Sequence, residues 1–386
     1  MTQPSPSPDG PASPDDTRAV DDSAGRPLRL RCSCLVVNAP DDLRVVEREA
    51  GEVGPGQVLV RVGYGGICGS DLHYFHQGGF GTVRIKRPMI LGHEVAGTVV
   101  AVAGDVARVR PGDRVAVNPS RPCGRCRYCL EGWPNQCLDM RFYGSAMRDP
   151  HIEGAFRELL VCEAVQCEPV APGIPLRHAA LAEPFSVALH GVSRAGPLIG
   201  RRVLVSGCGP IGALVVAAAR LHGAAEVTAV DLTDETLAIA RAMGAQHTVN
   251  AATDAGWTAR YAADGLTRKG SFDVLFECSG SAQALRAGLD VMAPRGVVVQ
   301  LGLGGDVPLP QNVVVAKELT LVGSFRFHAE FALAVRLINE RRIDMARMIT
   351  RAFPLAEARE AFELASDRRR AMKVLLEFAG EALPQA

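Results

Sequence analysis

Short runs in which apolar and polar residues alternate fill the first half of the chain. Val58-Leu59-Val60-Arg61-Val62, Gly97-Thr98-Val99-Val100-Ala101-Val102 and Arg114-Val115-Ala116-Val117 carry the short-period pattern of strands with one face on a core. Gly, Pro and Asp interrupt them, and Arg110-Pro111-Gly112-Asp113 reads as a turn between two strands. From Leu28 to about Cys167 the pattern predicts a β-barrel-like domain whose loops carry the polar clusters.

After Ala179 the rhythm changes. Arg202–Ser206, Val227–Val230, Phe272–Phe276 and Val297–Leu301 are short apolar runs of the kind that both faces of a sheet bury. Helical patterns lie between the first three, over Ile211–Leu221 and Asp234–Met243. Strands alternating with helices predict a doubly wound parallel sheet with right-handed crossovers, an α/β architecture. Phe331–Glu340 and Leu355–Ser366 read as amphipathic helices, and Lys373–Glu377 as a closing strand.

At 386 residues the chain is long enough for two domains with separate cores. Residues 1–27 are rich in Pro and Asp without apolar periodicity, so they are expected to be a disordered tail. They have no basic segment followed by an apolar one, so they do not read as a secretory signal. Equal numbers of basic and acidic residues, 42 of each, and the absence of a basic run argue against a nucleic-acid partner. No stretch is apolar enough to suggest a membrane span. The spacing of the eleven cysteines suggests metal rather than a disulfide scaffold, which fits a reducing cytoplasm.

The chemistry sits in three motifs. Gly207, Gly209 and Gly212 follow the strand Arg202–Ser206 and, with Pro210 and Ile211, open the next helix. In that context the glycines permit a tight turn, close approach of a pyrophosphate and packing of helix on strand. Asp231 ends the following strand, where a carboxylate accepts from an adenosine ribose and repels a 2′-phosphate. With no Arg immediately after it, NAD is expected over NADP, NADP remaining possible.

Cys123, Cys126, Cys129 and Cys137 offer four thiolates from one loop, the tetrahedral set of a closed structural zinc. Two disulfides are the alternative pairing and need an oxidising compartment. Cys68, His93 and Glu94, with Glu183, could hold a second zinc with an open position. Glu94 or Glu183 could be the direct ligand, the other an outer partner.

Together these motifs resemble the zinc-dependent medium-chain dehydrogenase/reductase superfamily, from Leu28 onward. Gly65-Gly66-Ile67-Cys68-Gly69-Ser70-Asp71-Leu72-His73-Tyr74, Pro88–Glu94 and Glu183–His190 are similar to its polyol dehydrogenase branch. Asn118–Gly124, Asn135–Met147 and Gly323-Ser324-Phe325-Arg326-Phe327 are similar to the L-idonate 5-dehydrogenases within it.

The resemblance implies a GroES-like catalytic domain over residues 28–184 that includes the structural-zinc lobe. It implies a Rossmann NAD-binding domain over 185–324 and a C-terminal part of the catalytic domain over 325–386. Cys68, His93 and Glu94 would hold the catalytic zinc, and Glu183 would bind or orient that shell. Ser70 and His73 would form a proton relay, with Tyr74, Arg326 and Phe327 on the substrate. The nicotinamide would lie along Leu301-Gly302-Leu303 and Ser324-Phe325. Thr236 stands where some polyol dehydrogenases carry an Arg against the adenosine.

The implied activity is reversible oxidation of L-idonate to 5-ketogluconate by hydride transfer, using two zinc ions per chain and NAD. A sorbitol/xylitol-type or L-threonine dehydrogenase is the near alternative, and a non-enzymatic structural or sensor protein the distant one. Presence of Cys68, Ser70, His73, His93 and Glu94 argues against the last. The partners implied are a small sugar acid or polyol and further copies of the chain, as a dimer or tetramer.

Overall fold

The computed structural model describes residues 30–262 and 267–378, so the tail expected over residues 1–27 lies outside the described residues. The long strand Gln57–Gly66 organises the first half. It pairs antiparallel with Glu94–Val102, Leu159–Glu163 and Lys373–Glu377 in a seven-stranded sheet. Arg114–Val117 and Cys167–Pro169 extend this sheet on one side and Ile349–Pro354 on the other. Its inward residues Val58, Val60, Val62, Val95, Val99, Val115 and Val117 are almost fully buried. Arg31–Ala39, Asp42–Glu49 and Met89–Ile90 form a smaller sheet beside it.

The register of this sheet matters for the site. Gly66 lies opposite Glu94 on one side and Leu375 on the other. The last strand of the chain therefore runs past the point where Gln57–Gly66 hands over to Cys68, and Ile67 N–H donates to Val374 O at 3.0 Å.

The second sheet has six parallel strands in the order His247–Asn250, Glu226–Asp231, Arg202–Ser206, Phe272–Glu277, Met292–Gln300, Thr320–Gly323. This is the strand order of dinucleotide-binding folds, with the crevice at the carboxyl ends of Arg202–Ser206 and Phe272–Glu277. The barrel-like domain and doubly wound sheet expected from the patterning are both present. Helix Ala182–Arg194 joins them, packing on Pro210–Leu221 and on Glu330–Asn339. The largest core cluster runs through that junction, from Ala96 and Phe142 by Phe185 and Leu189 to Val205 and Ala213.

Several element boundaries differ from the patterning. Leu355–Glu357 is a turn of 3-10 helix, and the α-helix starts only at Ala358, after Pro354 has set the entry. The strand read as Val297–Leu301 spans Met292–Gln300, with Arg295 at φ 62 inside an irregular start. Gly69–Gln77 is a helix, though its sequence offers little apolar periodicity.

Candidate active site

Helix Gly69–Gln77 begins at Cys68 because Asp71 sits where its carboxylate can reach back. Asp71 Oδ2 accepts the backbone N–H of Cys68 at 3.0 Å, satisfying a donor at the start of the helix. Its other oxygen accepts Gly92 N–H at 3.1 Å and lies 3.8 Å from His93 Nδ1. A single buried carboxylate thus ties the Cys68 turn to the His93 turn. Gly92, at φ +90, needs the freedom of glycine, and a Cβ there would lie 2.1 Å from the Phe156 ring.

The ligand atoms of Cys68, His93 and Glu94 lie within 4.8 Å of one another. His93 Nδ1 and Glu94 Oε2 are buried and have no hydrogen-bond partner among the described residues. Glu94 Oε1 is held by Lys373 Nζ at 2.6 Å, and the same ammonium donates to Ile67 O at 2.9 Å. Gly66 leaves room for this carboxylate, since a Cβ there would come 2.2 Å from Glu94 Oε2. Glu183, in the first turn of Ala182–Arg194, is buried beside the group but is not part of the three-residue cluster.

Burial pushes the Cys68 thiol up to about 11 and the Glu183 carboxyl up to about 8, and moves Glu94 upward as well. Lys373 is pulled down by burial, yet Glu94 and Cys68 hold it above its ordinary range. Three acidic groups thus share a dry site with one ammonium. A thiolate, an imidazole and a carboxylate with two buried polar atoms unmatched are a donor set that fits zinc. A cation bound there would favour the charged forms of these acids, which burial disfavours.

Ser70 and His73 lie three residues apart on the same helix, so both project on one side of it. Ser70 is half-buried with its hydroxyl toward the Cys68 sulfur, and His73 is exposed against the Phe80 ring. Tyr74 is 1% exposed, and its hydroxyl accepts Ala146 N–H at 3.0 Å. Phe327 is likewise buried, stacked on Phe331 inside the core. Arg326 does reach the cleft. It is held at φ 56 with its guanidinium 4.2 Å from the centre of the Phe142 ring. Burial lowers its pKa to about 10, with Glu183 and Tyr74 opposing, so it stays cationic at neutral pH.

The glycine turn has the expected form. A Cβ on Gly212 would lie 1.8 Å from Gly207 O, and one on Gly207 2.7 Å from Ser279. Nothing lies within 4 Å above Gly209, which leaves its backbone open to an incoming pyrophosphate. Pro210 is the first residue of its helix and Ile211 the next. Asp231 accepts Cys208 N–H at 2.5 Å and Leu232 N–H at 2.7 Å, so it braces the turn as well as facing the crevice. Leu301, Gly302 and Leu303 follow the strand Met292–Gln300, and Ser324 and Phe325 follow Thr320–Gly323.

Glu277 was not among the residues expected from sequence. Fully buried, it accepts from Ser279 and Gly280 N–H and from Gln300 Nε2, joining the turns around Gly280 and Gly302. Asp71 and Lys373 are the other two. A carboxylate three residues beyond a helix-starting Cys is a signal for Asp71, whereas nothing local marks Lys373.

The four lobe cysteines also converge. Their sulfurs lie within 4.8 Å of one another and all four are free thiols, so no disulfide pairs them. Backbone N–H groups of Cys123 and Asp139 donate to Cys137 Sγ, and that of Cys126 to Cys123 Sγ. Donors at Arg125 and Cys129 draw the Cys123 and Cys126 thiols below the ordinary thiol range. Burial moves the Cys129 and Cys137 thiols the other way, so it is the convergence of four sulfurs furnished with N–H donors that fits a tetrahedral metal.

Residues 54–172 match the alcohol dehydrogenase GroES-like domain, and residues 210–340 match the zinc-binding dehydrogenase family. The chain is 42% identical over 323 residues to L-idonate 5-dehydrogenase (NAD(P)(+)) of Escherichia coli K12, covering 83% of this chain and 91% of that one. The crystal structure of the Escherichia coli K-12 L-idonate 5-dehydrogenase superposes with a TM-score of 0.85 at 40% identity, covering 91% and 99%. Bovine sorbitol dehydrogenase is 33% identical over 355 residues, covering 92% and 97%. A zinc-binding dehydrogenase of Sinorhizobium meliloti, solved bound to NADP, has a TM-score of 0.80 at 30% identity and covers 90% and 100%.

The chain belongs to the zinc-dependent alcohol and polyol dehydrogenases of the medium-chain superfamily, oxidoreductases acting on CH–OH with zinc and NAD(P) as cofactors. Its similarity to L-idonate 5-dehydrogenase is seen in both sequence and structure. No helix of the described residues is long and apolar enough to cross a membrane.

Proposed function

We propose that this chain oxidises the C5 hydroxyl of L-idonate to 5-ketogluconate, and catalyses the reverse reduction, with Cys68, His93 and Glu94 holding the catalytic zinc. Glu183 completes or orients that shell, and the four lobe cysteines hold a second, structural zinc. When bound, the catalytic zinc supplies Lewis acidity toward a hydroxyl, and the nicotinamide accepts the hydride. Ser70 takes the hydroxyl proton, and His73, exposed on the same side of the helix, delivers it to solvent.

The observation that carries the substrate reading is the Arg326 guanidinium. It lies over the Phe142 ring, close enough to Glu183 to feel its charge, and forms no ion pair among the described residues. A hexonic acid with C5 at the reacting centre has its carboxylate four carbons away, and a rigid guanidinium holds a carboxylate bidentately. The similarity to L-idonate 5-dehydrogenase supports the same reading.

Arg326→Lys is expected to raise KM for L-idonate about tenfold or more, with a smaller effect on sorbitol. Steady-state assays on L-idonate, D-gluconate, sorbitol, xylitol and L-threonine test this directly. Faster oxidation of sorbitol than of L-idonate by the unsubstituted enzyme would overturn the substrate reading in favour of a neutral polyol, the activity named for the bovine relative.

Asp231 is the cofactor discriminator in this reading. Asp231→Ala is expected to weaken NADH binding about tenfold and raise relative use of NADPH, as read by fluorescence titration. Equal efficiency of the unsubstituted enzyme with NADH and NADPH would remove that role from Asp231.

A further inference from the structure

The segment carrying Arg326 receives much of its support from the four-cysteine lobe. Phe325 O accepts the side-chain Nδ2–H of Asn135 at 3.0 Å, two residues before Cys137. Phe142, on the short strand Arg141–Phe142 just beyond the lobe, provides the ring under the guanidinium. Met147, further along the same loop, accepts the guanidinium Nη2–H on its sulfur at 3.2 Å.

The other end of the segment is tied to the rest of the molecule. Arg194 Nε–H donates to Gly323 O at 3.1 Å, and Ser324 N–H donates to Gln300 O at 3.0 Å. Arg326 itself occupies a left-handed backbone conformation, φ 56, that a non-glycine residue holds only when its surroundings impose it.

We propose that the four-cysteine lobe is a positioning element for substrate recognition, with Asn135 and Phe142 fixing the backbone and guanidinium of Arg326 at the cleft. This inference rests on the reading of Arg326 as the carboxylate anchor. Among the described residues the Asn135 side chain hydrogen-bonds to Phe325 O and to no candidate metal ligand. It acts through the Phe325 carbonyl, which belongs to the peptide group that sets the Arg326 backbone. Phe142 acts through its ring, which offers a desolvated face to a planar cation. A lobe whose loop is braced by its own metal thereby specifies an anionic substrate at a distance from the chemistry.

The test uses the full-length, zinc-replete enzyme. Asn135→Ala is expected to raise KM for L-idonate about fivefold, the worth of one hydrogen bond, and Phe142→Leu about tenfold. For Asn135→Ala, kcat on L-idonate and both constants on sorbitol stay within about twofold of the parent. Phe142 also packs on the His93 ring, with centroids 5.4 Å apart, so Phe142→Leu is read by its KM increase on L-idonate relative to that on sorbitol. Zinc content stays at the parent value, and hydrogen exchange of the amides from Gly323 to Phe327 quickens. Should Asn135→Ala not accumulate, Asn135→Leu removes the donor at similar size without adding a charge and is expected to give the same shift.

Two outcomes overturn the inference while leaving Arg326 as anchor. One is a parent enzyme that prefers L-idonate with both variants at parental KM and exchange. The other is a loss of thermal stability with equal KM increases on L-idonate and sorbitol, which marks a merely structural tie. Failure of the underlying reading is recognised in the parent alone, as indifference to the substrate carboxylate.

Discussion

Replacing Cys68 with Ala is expected to lower kcat/KM by about a thousandfold or more while the protein stays folded. The side chain contributes the only thiolate of the Cys68, His93 and Glu94 cluster, and the hydroxyl to be ionised depends on the cation held there. Fold should survive because Asp71 still holds the backbone N–H of residue 68 at the start of helix Gly69–Gln77, so that only the half of the capping box made by the sulfur is lost. Metal analysis should show one zinc lost and one kept, since the lobe cysteines are a separate group. Thermal unfolding should move by only a few degrees. A Cys68→Ala protein that keeps both zinc ions and most of its turnover would mean that the reacting centre lies elsewhere.

The second large effect is expected at Lys373, on stability. Its ammonium and the Glu94 carboxylate are 3% and 0% exposed, so neither has water to replace a lost partner. Lys373→Met keeps most of the volume and leaves Glu94 charged and unpaired, which costs about 3–5 kcal/mol in comparable buried pairs. Urea unfolding of the metal-free protein is the appropriate measurement, because zinc would itself compensate Glu94. The penalty has a definite pH dependence. An unpaired buried Glu94 has a folded pKa above its unfolded one, so the lost stability returns as pH falls and the carboxyl protonates. Glu94→Gln in the same background should recover much of the loss. A Lys373→Met protein within about 0.5 kcal/mol of the parent would show that Glu94 is neutral or solvated in the metal-free state.

Lys373 also marks what sequence patterning can reach. The metal loops, the glycine turn and Asp231 were legible because each is local. A Cys at regular spacing or a Gly between strand and helix carries its physical reason within a few residues. The pairing of residue 373 with residue 94 is a property of sheet register, and Lys373 reads only as the first residue of an apolar strand. Helix Gly69–Gln77 was hidden for another reason. Its buried side chains Asp71, Tyr74 and Phe75 do not make the apolar stripe that betrays most helices.

Tyr74 and Phe327 illustrate the converse. Aromatic residues beside a cleft motif invite a substrate role, but burial at 1% in each case shows how much of their surface is committed to packing. Arg326 gains its place from a backbone conformation that no sequence pattern announces, with the ring of Phe142 and the carbonyl of Phe325 as its supports.

The path of the chain has a consequence for how the protein is made. Cys123 to Cys137 emerge from the ribosome together, within one loop, and can capture their ion while the rest is still being synthesised. The other centre is distributed over the whole polypeptide. Its cysteine arrives with residue 68, its neighbouring glutamate with residue 183, and its ammonium only with the closing strand Lys373–Glu377. The candidate ligands of that centre are therefore complete by residue 183, whereas a nascent chain stalled before residue 373 would leave the Glu94 carboxylate without the ammonium that pairs with it in the finished fold.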